Sequence, residues 1–531
     1  QNRTTRPKLT QIYDNLLANY DAALFSNEEW LKWESGNEDA ASISKRRVIT
    51  GYIATKLRQR KFRSLNRQFL TDWIIYGNCF AGIDFIRDTH KDPTETDGTL
   101  ITTYTGPSVY RISPLDIVFN PLAENFYASP KIVRTLKTLG ELASDVENNP
   151  EYGISQAILA RIKDRRLSAR SGGINNGKED YSKEKELIAD GFQTMSQYYT
   201  SGMVEILTFY GDLYIEKENK LYKAQQITVV DRRDVIKQES IKSWKGQPYL
   251  YQCGWRVRTD NCWAMGPLDN LQGMQHRIDH LENLKADVFD AIAYPVTVEQ
   301  GDVEYIDGEG TPNGIRGIPG GVYQIAENGS VSQLRPDGTA LQADLQIANL
   351  EQEMEELAGA PKQAMGIRTP GEKTAFEVGA LQNASSRIFE NKLAYYEEEF
   401  LERILNAMLE MSVRLLDGSD VIKIIDDTFG IEQFMSITRE DITAEGNLYA
   451  RGSRHFARAA RIAQALNTLS QSPLSQLALP HLSRIGIARL MEDVLELEKF
   501  HLVQENIGVM QDKVTASLTQ TAQKQLQSEN L

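Results

Sequence analysis

Cysteine and long apolar runs are both scarce in this chain of 531 residues, and each scarcity removes a class of answer. The three cysteines (Cys79, Cys253, Cys262) make no Cys-x-x-Cys pair and are odd in number, so they read as single thiols in a reducing compartment rather than a disulfide framework. No apolar run approaches the ~18 residues that a membrane-spanning helix requires. The opening Gln1-Asn-Arg-Thr-Thr-Arg6 lacks the apolar core of a signal peptide, so synthesis in the cytosol and no membrane partner are expected. Positive charge is in deficit, with 59 Lys and Arg against 73 Asp and Glu and a formal charge of −14. That balance argues against a surface basic enough to coat nucleic acid, while leaving room for local contact. Also missing are a Gly-x-Ser-x-Gly elbow and any Cys/His nucleophile pair that position alone would suggest. No catalytic residue, metal or cofactor is expected.

What is present is an ordinary globular composition, 41% apolar and 25% charged, with length for two to four domains. The class is α+β, and its dominant feature runs from Met265 to Leu416. In Gly266–Ala293, apolar residues fall at Leu268, Leu271, Met274, Ile278, Leu281, Leu284, Val288 and Ile292, a stripe down one helix face. A second helix is expected over Thr339–Ala358 and a third, unusually long, over Thr374–Leu416. Between the first two lies a Gly/Pro-rich excursion, Tyr294–Gly338, with β-type pieces at Pro295–Glu299 and Gly321–Ile325. Between the second and third lies the loop Ala358–Lys373, which carries Lys362, Arg368 and Lys373. The second helix has Glu351, Glu353, Glu355 and Glu356 in its C-terminal half, where acids oppose the helix dipole and so serve something other than helix stability.

Around this stretch, Leu9–Gly51 reads as helical and contains the aromatic patch Ala23–Trp33. Lys45–Ile75 reads as a helix with basic residues spread around it. Strands are expected at Cys79–Arg87, Leu100–Thr105, Val109–Phe119, Met203–Ile215, Gln226–Ile236, Tyr249–Arg258 and Val421–Ile425. A Gly/Asn-rich loop falls at 171–177. Arg451, Arg454, Arg458 and Arg461 recur at helical spacing at the start of a C-terminal helical region, which ends in a polar tail.

Two near-motifs fail on inspection. Gly366-Ile-Arg-Thr-Pro-Gly-Glu-Lys-Thr374 resembles a phosphate-binding loop, yet Glu372 intervenes between Gly371 and Lys373, and an acidic helix stands where a buried strand is needed. His276-Arg-Ile-Asp-His280 has two imidazoles at i and i+4, but Arg277 replaces the glutamate of the metalloprotease helix and no third ligand can be named.

The order of parts carries a resemblance. A helix opening at Gly266-Pro267-Leu268, a Gly/Pro-rich β excursion, a second helix, a loop, and Arg368-Thr-Pro-Gly-Glu-Lys-Thr-Ala-Phe-Glu-Val378 opening a very long helix are together similar to the portal, or head-to-tail connector, protein of short-tailed, podovirus-type bacteriophages. Ala23-Leu-Phe-Ser-Asn-Glu-Glu-Trp30 and Asn447-Leu-Tyr-Ala-Arg-Gly-Ser-Arg454 resemble the same family. The resemblance implies a homo-oligomeric ring, usually a dodecamer, around a channel for double-stranded DNA.

In that frame 1–265 would be the N-terminal wing, 266–293 a stem helix, 294–338 the clip, 339–358 the second stem helix and 359–373 the tunnel loop. Residues 374–450 would be the wing's long helix and β return, and 451–531 the crown. The partners implied are the terminase large subunit, tail adaptor proteins, and the major capsid and scaffolding proteins, at a virion portal vertex assembled in the host cytoplasm. Glu351, Glu353, Glu355 and Glu356 would line an acidic channel that lets DNA slide, and Lys362, Arg368 and Lys373 would give a local grip on phosphates. The alternatives are a metal- or nucleotide-dependent DNA-processing enzyme and a capsid scaffold or adaptor without a channel.

Overall fold

The computed structural model of the chain describes residues 3–25, 30–35, 40–91, 100–148, 154–170, 202–216, 219–293, 296–300, 303–305, 323–325, 330–334, 342–358, 388–418, 420–425 and 432–450. Helices pack with antiparallel sheets, an α+β arrangement. The opening helix, α1 (Lys8–Leu24), buries Ile12, Leu16, Leu17, Tyr20, Ala23 and Leu24, the three-to-four spacing of a one-sided helix. The expected helix over Leu9–Gly51 does not continue from there. Strand β1 (Leu31–Ser35) interrupts it, with Leu31 and Trp33 alternating into the core. Helix α2 (Ala40–Gln59) follows. The basic run is likewise two helices, because Lys61 takes the left-handed conformation at φ 51° and turns the chain into α3 (Phe62–Ile75).

Strands β2 (Asn78–Lys91) and β3 (Leu100–Ile112) form a long antiparallel pair. A second sheet is a meander of β4 (Ile117–Phe119), β5 (Lys131–Thr138), β6 (Met203–Ile215), β7 (Lys220–Val230) and β8 (Asp234–Ser240). Helices α4 (Leu139–Asn148) and α5 (Gln156–Arg170) share a small apolar cluster with it, built on Leu142, Leu159, Ile162, Val204 and Val230. The single strand expected over Gln226–Ile236 is two. The chain reverses at Asp231-Arg232, both at positive φ (49° and 58°), and ion pairs Arg166–Asp231 (3.3 Å) and Arg232–Glu205 (3.0 Å) hold the turn. Strand β9 (Leu250–Gly254) then returns to the second edge of β2.

Helix α6 (Gln272–Ala293) begins later than the sequence suggests. A 3₁₀ turn, Asp269–Leu271, precedes it, and the Gly266 amide donates to Asp269 Oδ2 at 2.7 Å. Gly77 (φ 69°) lies against this junction, where a Cβ would meet Gly266 N at 2.3 Å; only glycine fits that approach. The excursion after α6 holds β10 (Val296–Gln300) and β11 (Val303–Tyr305), then β12 (Tyr323–Ile325) and β13 (Ser330–Leu334). Here β10 pairs β13 and β11 pairs β12. Next come α7 (Asp344–Ala358) and helical residues 388–396, followed by a π-helical turn (Glu397–Leu401) and α8 (Glu402–Leu415). The described residues end with the hairpin β14 (Asp420–Ile425) and β15 (Glu432–Ile437), a single turn α9 (Arg439–Ile442), and β16 (Gly446–Ala450), which pairs β1 from Leu31↔Ala450 to Ser35↔Gly446. The 171–177 loop, residues 359–387 and everything from 451 lie outside the described residues.

The main core is aromatic. Trp73 of α3 touches Tyr20 (centroids 5.4 Å apart), Trp255 (4.3 Å) and Tyr396 (5.0 Å), and Phe69 meets Phe400 at 5.1 Å. The Tyr396 hydroxyl donates to Asn66 Oδ1 at 2.9 Å. The π turn admits an extra residue into the helix, so that Tyr396, Phe400, Leu401, Ile404 and Leu405 all reach this core.

Candidate functional site

The α6–α7 pair is where the sequence places most of its candidates. The helices run antiparallel: Lys285, late in α6, donates to Asp344 at the start of α7 at 2.7 Å. The apolar stripe of α6 is fully covered only in its first half, while Val288 and Ile292 further along are half-buried. Leu271, Ile278 and Leu281 are buried, whereas Leu284 is 41% exposed and the nearby Phe289 63%. The neighbour behaves alike, with Ile347, Met354 and Ala358 turned inward and Leu345 and Leu357 left at 72% and 58%.

The four glutamates of α7 divide by face. Glu355 is buried, and its carboxylate takes the equally buried Lys8 ammonium at 2.5 Å. One turn earlier Glu351 pairs with Arg6 at 2.9 Å. Glu353 and Glu356 are exposed, the latter accepting from Gln352 at 3.0 Å. Two of the acids therefore answer cations at the N-terminal end of the chain, Arg6 just ahead of α1 and Lys8 at its first position. Nothing local in the sequence marks Arg6 and Lys8 as their partners, because more than 340 positions separate them. Lys362, Arg368, Lys373, Arg451, Arg454, Arg458 and Arg461 lie outside the described residues, as does the near-motif 366–374. His276 and His280 are exposed on α6, and no group of His, Cys, Asp and Glu that could hold a metal occurs among the described residues.

A second concave feature was not anticipated. An open cleft of about 480 Å³ lies between the 123–127 loop, the 254–262 segment and the long helix at Tyr395, Glu399 and Arg403. Arg403 pairs with Glu399 at 2.6 Å and sits over the Tyr127 ring at 4.7 Å. Burial pushes the Tyr127 phenol up to about 12, and Arg403 only partly offsets this. Burial also raises the Cys262 thiol, which donates to Ala123 O at 3.2 Å. Such side chains can stack and hydrogen-bond, and the thiol stays protonated near neutral pH. Beneath the cleft loop, Lys131 is buried without a carboxylate partner among the described residues. Its ammonium donates to Ser129 O at 2.8 Å and Tyr127 O at 3.4 Å and lies 4.6 Å from the centre of Phe126. Burial pulls it down to about 8.

No protein-family model matches the chain, and no curated protein matches it in sequence. The described residues include no helix long and apolar enough to cross a membrane.

Proposed function

We propose that the chain is one subunit of a portal-type ring, a channel through which double-stranded DNA enters a phage capsid under the action of a terminase and later leaves toward a tail adaptor. The observation that carries this reading is the α6–α7 pair. Two antiparallel helices are joined through an excursion whose strands β10 and β13 pair with each other, and both helices leave large apolar side chains uncovered in a chain of −14 net charge. Such faces suit burial between neighbouring copies.

Within this reading Glu353 and Glu356 are the acids of α7 available to line a channel, since Glu351 and Glu355 are held by Arg6 and Lys8. The loop cations Lys362, Arg368 and Lys373 would touch the phosphate backbone, and Arg451, Arg454, Arg458 and Arg461 would belong to the crown. Capsid and scaffolding proteins are the remaining partners of this assembly, whose place is the virion vertex.

Negative-stain imaging of the purified full chain tests the reading. The expected result is a ring of about a dozen subunits with a central hole wide enough to admit a DNA duplex. A compact monomer overturns it, and metal-dependent DNA cleavage or ATP turnover by the same preparation replaces it with the enzyme alternative. With rings intact, replacing Lys362, Arg368 and Lys373 together by Ala should change the length or retention of packaged DNA.

A further inference from the structure

The five-stranded sheet β4–β8 is apolar on both faces, and among the described residues only one face is covered. On the covered side Ile117, Phe119 and Val133 meet the cluster around Phe80 and Phe126, while Val204, Ile206 and Val230 meet α4 and α5. Successive residues of a strand point to opposite sides, and residues directly opposite each other on antiparallel neighbours share a side. The register therefore fixes what the other face carries. One row runs Val118, Ile132, Phe209, Ile227 and Gln238 across all five strands. The next, two residues along, runs Arg134, Leu207, Val229 and Val235.

Among the described residues, none of these side chains joins a core cluster. Val118 is 65% exposed, Val235 58% and Ile132 38%, and Leu207, Phe209, Ile227 and Val229 are half-buried. Leu115 and Leu122, on either side of β4 in the chain, are exposed as well. The charges in this region are already answered. Arg134 pairs with Asp116 at 2.7 Å, and Glu205, two residues before Leu207, pairs with Arg232 at 3.0 Å.

An antiparallel sheet with one face in water alternates apolar and polar residues, whereas a strand covered on both sides reads as a nearly continuous apolar run. Strands β6 and β7 follow the second pattern, in Ile206-Leu-Thr-Phe-Tyr210 and Ile227-Thr-Val-Val230. The five exposed side chains leave roughly 500 Å² open, and the half-buried ones extend this toward the ~800 Å² that each partner gives to a standard interface. Strand addition at the sheet's edges is the weaker route to association, since β4 has three residues and β8 carries Lys237 and Glu239.

We propose that the outward face of this sheet is covered by an adjacent copy of the chain in a head-to-tail contact. A ring requires each copy to present two different surfaces, one to each neighbour. The described residues have two such apolar surfaces, the partly covered side of the α6–α7 pair and this face. With its charges paired internally, the face does not select an acidic or a basic partner, and an apolar surface of the same chain fits it. The proposal rests on the portal reading for closure into a ring and on the sheet alone for the contact itself.

A polarity-sensitive dye on Val118→Cys reports the contact. Cys262→Ser removes the half-buried thiol, and Cys79 and Cys253 are buried. Emission should shift to the blue over the concentration range in which sedimentation shows the full chain associating. In the unlabelled chain, Val118→Lys/Val235→Lys changes two exposed sites. It should keep the wild-type urea midpoint and raise the concentration for half-association at least tenfold. Association unchanged by the two lysines overturns the proposal, as does a dye that stays in water within the assembled state. A dye already shifted in the monomer also overturns it, since the chain's own residues then cover the face. Imaging separates this inference from the portal reading: association with a blue shift but without rings keeps the contact and removes the portal, whereas rings with the dye in water do the reverse.

Discussion

The aromatic core around Trp73 and the α6–α7 pair are both helical, yet they are held by different forces. In the core, Trp73, Phe69, Tyr396 and Phe400 are fully buried and in contact, and the one buried carboxylate of α3, Asp72, is gripped by both arms of Arg111 at 2.6 and 2.7 Å. In the pair, the apolar stripe of α6 is only partly covered beyond Leu281, and long-range polar contacts to residues 4–9 supply much of the fastening. Apolar packing is non-directional and responds little to salt, whereas hydrogen bonds and ion pairs have small net worth and depend on solution conditions. The pair is therefore the part of the molecule whose order can be adjusted without endangering the fold.

The sharpest test of this contrast is Trp73→Ala. Removing a fully enclosed indole should lower global stability by about 3–5 kcal/mol, read as a drop in the urea midpoint without a change in slope. A loss near 1 kcal/mol would mean that the core is no better packed than the pair. Next, Lys8→Met leaves Glu355 buried without its cation and should cost about 3 kcal/mol, the low end for breaking a buried ion pair. That loss should show in the opening of α7 more than in the global midpoint.

The apolar side of the comparison contains one ammonium, Lys131, and it gives a pH signature. Its folded value of about 8 lies below the unfolded value near 10.4. Between the two, the unfolded chain binds the extra proton, so stability from this group rises as pH climbs from about 8 to about 10 and is absent below 8. Wild type should therefore gain on the order of 3 kcal/mol relative to Lys131→Met across that window, measured by urea unfolding at matched pH. A flat difference would mean that the ammonium reaches water. The smallest effect is expected at Phe289. Phe289→Gln should move monomer stability by less than about 0.5 kcal/mol, as at other exposed sites, and on the portal reading it should still weaken ring formation in sedimentation.

Legibility from sequence followed the range of the forces. Strand β6 was readable end to end at Met203–Ile215, and β14 to within one residue, because β-branched and aromatic runs express a local preference. The reversal between β7 and β8 was not, since Asp231 and Arg232 are held at positive φ by ion pairs to α5 and β6 rather than by glycine. Strand β1 was hidden in a helical pattern because its partner lies at Gly446–Ala450. At the site, the acids of α7 stood out as opposing the helix dipole, which was a true signal with an incomplete explanation. Two of the four answer Arg6 and Lys8, cations that no periodicity connects to them. The cleft at Tyr127 and Arg403 joins loop, strand and helix segments far apart in the chain and has no sequence pattern at all.

The pairing of β1 with β16 also sets a schedule for biosynthesis. Trp33 is sealed at 0% exposure, and its ring lies within 2.5 Å of the place a Cβ on Gly446 would occupy. A ribosome adding roughly 5–20 residues per second needs on the order of 20–80 s to travel from one strand to the other. Until it does, the first strand has an open edge and an indole without cover. The emerging chain thus carries its own adhesive patch through most of translation, and the last strand among the described residues is the one that retires it.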